Sequence, residues 1–190
     1  MKLLAPLKYL SIRHDEKRRY DLWYPLAGAT ALTLIYAFMA VPFSLLGKSG
    51  LVTQVNGLLQ VLIGFYIAAL AAISTFSNAT IDEKMAGTPP VIKEMFRGNL
   101  INVPLARRRF LCFLFGYLAL VSFVVFACGV LASLFTNPAI EMISAISFDY
   151  AIPIAKAFFL FCYSFVLFNL TTTTLLGLYY LSVRIHQPND

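Results

Sequence analysis

The chain has 190 residues, of which 59% are hydrophobic and 13% are charged, and its formal net charge is +6 at pH 7. Soluble domains carry about a quarter charged residues, and a water-soluble fold of this size cannot hide so much apolar surface. The composition therefore excludes an ordinary water-soluble fold and predicts one membrane domain, 1–190.

The N-terminal segment, 1–21, is predicted to be a basic cytoplasmic arm. Leu3, Leu7 and Leu10 fall on one helical face beside basic residues, as is typical of a helix lying on a membrane surface. The apolar run is short and leads into the charged stretch 13–19 rather than into small residues. We therefore expect no cleaved signal peptide.

Four stretches are long and apolar enough to cross a bilayer, since a helical span needs about 20 mainly apolar residues. They run from Trp23 to Leu46, from Leu51 to Phe76, from Phe110 to Phe135 and from Ile154 to Val183. The predicted fold class is an all-α polytopic membrane protein with four transmembrane helices.

The connections between these spans have patterns of their own. The tight turn Gly47 to Gly50 predicts that the first two spans form an antiparallel hairpin, and Pro42 predicts a kink near the end of the first. In the cytoplasmic loop 78–109, Thr88-Pro89 and Gly98 are typical of a helix start and stop. In the extracytoplasmic loop 136–153, the pattern from Pro138 to Tyr150 predicts a short interfacial helix.

The basic residues predict the orientation. All Lys and Arg residues except Lys48 and Lys156 fall in the N-terminal segment, the central loop or the C-terminal tail. Because short cytoplasmic flanks carry an excess of Lys and Arg, both termini and the central loop are predicted to be cytoplasmic.

Two spans carry polar or small side chains that predict seams between helices. Small residues let backbones approach closely, and amide or hydroxyl groups hydrogen-bond between helices. The seams lie within one bundle or between copies of a homo-oligomer, and a pore lining is the alternative interpretation. The seam residues are Asn56, Gln60, Gly64, Ala68, Asn169, Thr172 and Thr173.

The cytoplasmic face is predicted to dock a soluble partner through basic clusters and one apolar helix face in the central loop. The clusters also fix topology and attract anionic lipid, with each charge contributing about 1 kcal/mol near the surface. The predicted contact residues are Lys17, Arg18, Arg19, Ile92, Met95, Phe96, Arg107, Arg108 and Arg109.

Catalytic and transport chemistry have little support in the sequence. Ion-coupled transporters need ionisable groups near the midplane of the membrane, and the predicted spans contain only Lys156, close to an end. Cys112, Cys128 and Cys162 lack Cys-x-x-Cys spacing, and His14 and His186 have no cysteine partners. We predict no catalytic residue, no metal site and no cofactor.

The layout resembles the KwaA family, the small membrane subunits of the Kiwa anti-phage defence system of bacteria. The resemblance rests on the basic arm ending in Asp15-Glu16-Lys17-Arg18-Arg19-Tyr20, on four uncharged spans and on the ordered loop Thr80 to Arg109. It implies a tetramer in the bacterial inner membrane that senses disturbance of the envelope. It also implies a cytoplasmic effector, KwaB, that binds DNA, so that nucleic acid is contacted only through the partner.

The sequence therefore predicts a membrane sensor and anchor for a cytoplasmic effector. A small channel or transporter of oligomerised bundles is the first alternative, and an accessory membrane subunit of another complex is the second. A membrane enzyme ranks last, because no acid–base or metal group supports it.

Overall fold

A computed structural model describes residues 2–14, 16–75, 79–83, 89–96, 99–144 and 150–184. A 3₁₀ segment at Lys2–Ser11 and a π-helical turn at Arg19–Trp23 precede the first α-helix. The elements that follow are α1 Tyr24–Phe38, α2 Leu51–Thr75, α3 Ala79–Asp82, β1 Val91–Phe96, β2 Asn99–Pro104, α4 Arg107–Leu134, α5 Thr136–Ser144 and α6 Ala151–Ser182.

Three helices, α2, α4 and α6, are long and apolar enough to cross a membrane. Their bounds agree closely with the predicted second, third and fourth spans. The predicted first span is shorter than expected, because α1 ends at Phe38 and residues 39–50 form no helix. A helix continued through Pro42 would drive the proline ring against the carbonyl of Phe38, four residues earlier. The chain therefore leaves the helix before Pro42 instead of kinking there.

The long helices pack in two antiparallel pairs, α1 with α6 and α2 with α4. Contacts between α4 and α6 join the two pairs. Gly28 of α1 faces the ring of Phe168 on α6, and Gly129 of α4 faces Asn56 on α2. The predicted α1–α2 hairpin is wrong as a packed unit, since these helices make few contacts with each other. The non-helical connection 39–50 lets α2 reach α4 instead.

The central loop contains a β-hairpin, so the all-α prediction is wrong there. Strands β1 and β2 pair antiparallel, with Val91 opposite Pro104 and Phe96 opposite Asn99. Alternation along the strand buries Ile92 (2% exposed) and leaves Met95 75% exposed. Ile92 and Met95 therefore do not share the helical face predicted for them. The side chain of Phe96 lies outside the described part of the structure.

The N-terminal segment packs against α4 rather than presenting the predicted leucine face to a membrane surface. Tyr9 is fully buried and stacks on Tyr117, with ring centroids 4.8 Å apart, whereas Leu10 is 53% exposed. Pro6 lies beside Gly116, where a β carbon would come within 3.5 Å of its ring. Tyr9 and Ile12 of this segment are therefore part of the core.

Helix α5 fits the predicted helix of the outer loop only in part. It begins at Thr136, two residues before Pro138, and ends at Ser144. Residues 145–149, which complete the predicted stretch to Tyr150, lie outside the described residues.

A hydrogen bond between α2 and α6 yields a test of the packing between the two helix pairs. The hydroxyl groups of Tyr66 on α2 and Thr174 on α6 lie 2.6 Å apart. We expect Tyr66→Phe to lower the free energy of unfolding by about 0.6 to 2 kcal/mol, since only this bond is removed. Thermal unfolding in mild detergent measures the loss. Tyr24→Phe is the control, because no hydrogen bond to the described residues holds the exposed Tyr24 hydroxyl; equal loss in both variants would contradict the assignment.

Candidate functional site

The antiparallel packing places the starts of α1 and α4 and the ends of α2 and α6 at one end of the bundle, which we call the basic end. The N-terminal segment and the hairpin are joined there by two backbone hydrogen bonds between Arg13 and Val91, of 2.9 and 3.1 Å. Leu105 N–H donates to the carbonyl of Pro90, and Arg107 N–H donates to that of Glu83. Segments far apart in the sequence thus form one connected surface.

The predicted partner-contact residues divide into exposed and engaged groups. Of the predicted residues, Arg18, Arg19, Arg109 and Met95 are exposed at the basic end, and Arg109 lies 5.6 Å from the centroid of the Phe113 ring. Lys93, which was not predicted as a contact, is exposed beside Met95 on β1. On one face of the hairpin, Met95 lies opposite Leu100, which is 67% exposed. These side chains form a surface, the basic platform, that combines cations with an apolar pair.

The other predicted contact residues serve the chain itself. Arg107 is only 3% exposed, and Ile92 is buried against the bundle. Arg108 donates two hydrogen bonds to the carboxylate of Asp82 and one to the carbonyl of Ile73. Hydrogen bonding from Arg108 lowers the pKa of Asp82, which keeps that carboxylate ionised and α3 tied to α4.

A polar cluster anchors the N-terminal arm inside the basic end. Lys17 forms an ion pair with Asp21 and lies over the ring of Tyr9, with 4.3 Å from Nζ to the ring centroid. The Tyr9 hydroxyl donates to the other carboxylate oxygen of Asp21 at 3.2 Å. Burial, and after it the charge of Asp21, raises the pKa of Tyr9, so its hydroxyl stays protonated and remains a donor. Lys17 is therefore an internal anchor rather than an exposed contact.

Pro25 explains why the chain forms a π turn at this point. The N–H of Tyr24 bonds to the carbonyl of Arg19, five residues back, and proline has no N–H. The carbonyl of Tyr20 therefore has no helical donor, because the N–H of Tyr24 bonds to Arg19 and Pro25 has no N–H. The carbonyl of Asp21 lacks its α-helical donor for the same reason, since that donor would be the N–H of residue 25. Buried carbonyls need partners, and α6 supplies them.

Two of the three predicted seam residues of α6, Asn169 and Thr172, are those donors. Thr172 donates to the carbonyl of Tyr20 at 3.0 Å, and Asn169 donates to that of Asp21 at 2.9 Å. The carbonyl oxygen of Asn169 accepts from the Tyr117 hydroxyl of α4 at 2.7 Å. Thr173 is fully buried beside Thr172 on the same helix. Asn169 thus bridges α4, α6 and the turn that precedes α1.

The predicted seam residues of α2 do not lie together. Asn56 is buried against Gly129 of α4, whereas Gln60, Gly64 and Ala68 are exposed on the surface of the single chain. A β carbon on Gly64 would meet no atom within 4 Å. The stripe drifts around α2, so that its first member faces α4 and the others face outward.

Sequence reasoning missed Tyr9, Tyr117 and the ion pair of Asp21 with Lys17. Two features of the sequence could have indicated the site. Pro25 predicts carbonyl groups without a helical donor one turn earlier, and α6 carries hydrogen-bond donors among apolar residues.

Within the described ranges, no group of three or more His, Cys, Asp or Glu side chains could hold a metal ion. Comparisons with protein-family models, curated proteins and solved structures found no match for this chain.

Proposed function

We propose that this chain is the membrane sensor and anchor subunit of a bacterial anti-phage defence complex, and that its basic platform docks a cytoplasmic DNA-binding effector resembling KwaB. The observation that carries the proposal is the pairing of Arg13 with Val91, which joins the arm and the hairpin. Topology alone requires positive flanks but requires no such connection between them. A joined surface of cations and exposed apolar groups suits a protein partner with an acidic face.

The proposed membrane arrangement has four spans with both termini in the cytoplasm of a bacterial inner membrane. Continuous helical structure from Lys17 to Phe38 supports a first crossing, because 22 residues at the α-helical rise extend about 33 Å, close to the thickness of a hydrocarbon core. The antiparallel packing of the helices also supports four spans, since the basic flanks lie at one end of the bundle and Lys48 and Lys156 at the other.

Reporter fusions at residues 190, 100 and 48 test the orientation. Activity of a cytoplasmic reporter at residue 48 would contradict it.

Charge reversal on the basic platform tests the docking proposal. We expect Arg18→Glu combined with Arg19→Glu and Lys93→Glu to reduce co-purification of the proposed cytoplasmic effector at least tenfold. The reason is that an acidic partner would then meet like charge. Arg107 and Arg108 are unsuitable for this test because they are engaged within the chain. The readouts are the amount of effector bound and the efficiency of phage plaque formation.

Lys48→Glu is the matched control, because Lys48 is exposed at the opposite end of the bundle. It changes the net charge in the same direction and leaves the platform intact. Unchanged effector binding in the triple variant, with normal protein level in the membrane, would reject the docking proposal. Loss of binding in the control as well would point to a general charge effect.

A homo-oligomer, with four copies as the proposed number, is supported by the exposed Gln60, Gly64 and Ala68 of α2. Small side chains with open space above them allow a second helix to approach closely. Mass measurement after purification in mild detergent tests the copy number, and Gly64→Leu is expected to shift it towards the single chain. The channel alternative, with a lining of Asn56, Gln60, Asn169 and Thr173, has less support, because the Asn169 side chain donates to a carbonyl within the chain.

A further inference from the structure

The end of the bundle opposite the basic end contains an apolar cavity of about 470 Å³. Residues of α1, α4, α5, α6 and the connection 39–50 line it, among them Tyr36, Leu45, Phe135, Ile140 and Phe159. A second cavity of about 540 Å³ adjoins it and shares Tyr36, Pro42, Ile152 and Lys156. The first volume lies within the range of about 300 to 1,000 Å³ typical of small-molecule sites.

Among the described residues, Lys156 is the one charged side chain in the lining of both cavities. It is exposed and makes no ion pair or hydrogen bond with the described residues. It lies near the start of α6, where the N-terminal end of the helix adds positive potential. An apolar space with one cation beside it is complementary to a molecule with one long apolar chain and one anionic head.

We propose that this cavity binds an anionic amphiphile, with an acyl chain among the apolar residues and a carboxylate or phosphate against Lys156. Burial of each methylene adds affinity, so a long acyl chain supplies binding strength while the ammonium group of Lys156 selects the charge. The site is separate from the basic platform and does not depend on the defence role. Phospholipids and free fatty acids share this chemistry, and the test distinguishes them.

The test is native mass spectrometry of the full chain in mild detergent with three probes: phosphatidylglycerol, phosphatidylcholine and palmitate. We expect an anionic probe to be retained at least tenfold more than phosphatidylcholine. Retention of phosphatidylglycerol identifies a phospholipid site, and retention of palmitate alone identifies a fatty-acid site. Retention of phosphatidylcholine equal to that of the better-retained anionic probe would overturn the proposal.

Substitutions test the charged part and the apolar part of the proposed site separately. Lys156→Gln is expected to abolish the preference for anionic probes, whereas Lys156→Arg keeps it, and Lys48→Gln, outside both linings, leaves it unchanged. Ala155→Trp fills the first cavity and is expected to reduce retention of every probe. Unfolding temperature verifies that each variant is folded. Full anionic retention in Lys156→Gln would overturn the assignment of the head to this residue.

Discussion

Replacing Asp21 with leucine is expected to lower the free energy of unfolding by about 3 kcal/mol and to release the N-terminal arm from the bundle. Lys17 and Asp21 are only 11% and 14% exposed, so the variant leaves a largely buried ammonium group without its counter-ion. The Tyr9 hydroxyl loses its acceptor at the same time. Thermal unfolding in mild detergent measures the stability, and limited proteolysis of the first 20 residues measures release of the arm.

The double variant Lys17→Met with Asp21→Leu controls this experiment. Removing both charges eliminates the unpaired ion, so we expect a large part of the lost stability to return. Asp21→Asn is the second control, because the amide still accepts a hydrogen bond from Tyr9 but has no charge. An Asp21→Leu protein that unfolds at the temperature of the unaltered chain would refute the role of this pair as an anchor.

The second large effect is expected from Gly28→Ala in α1. A β carbon at this position would lie 2.8 to 2.9 Å from three ring atoms of Phe168, closer than folded proteins tolerate. Overpacking of this kind costs about 1 to 3 kcal/mol, and the gain in helix propensity from Gly to Ala offsets at most about 1 kcal/mol of that cost. The helices α1 and α6 must then separate, which strains the hydrogen bonds from Asn169 and Thr172. Thermal unfolding measures the loss.

Gly57→Ala is the matched control for this substitution. It adds the same methyl group within α2, where a β carbon would meet no atom within 4 Å. We expect its unfolding temperature to stay the same or rise. Adding Phe168→Leu to Gly28→Ala should recover part of the loss by making room. If Gly28→Ala and Gly57→Ala behaved alike, the close approach of α1 and α6 would not limit stability.

The sequence by itself determined the long apolar helices α2, α4 and α6 and the separation of basic from apolar segments. The reason is that these features are local: a run of about 20 apolar residues has few stable forms in lipid other than a helix. The end of α1 was also predictable from the sequence, since Pro42 clashes with the carbonyl of Phe38 if the helix continues past that residue. We predicted a kink instead of an end because the apolar composition continues to Leu46.

The tertiary structure alone decided which helices pair, which cations are exposed and how the central loop folds. The segment 91–96 is too short for its apolar spacing to distinguish a helix from a strand, and pairing with 99–104 and Arg13 selected the strand. Lys17 and Arg107 look like surface charges in the sequence, but in the fold their exposed fractions are only 11% and 3%. Asn169 and Thr172 donate to carbonyls 148 and 152 residues away along the chain, which Pro25 leaves without donors. Such partners depend on packing between distant segments, which local residue patterns do not encode.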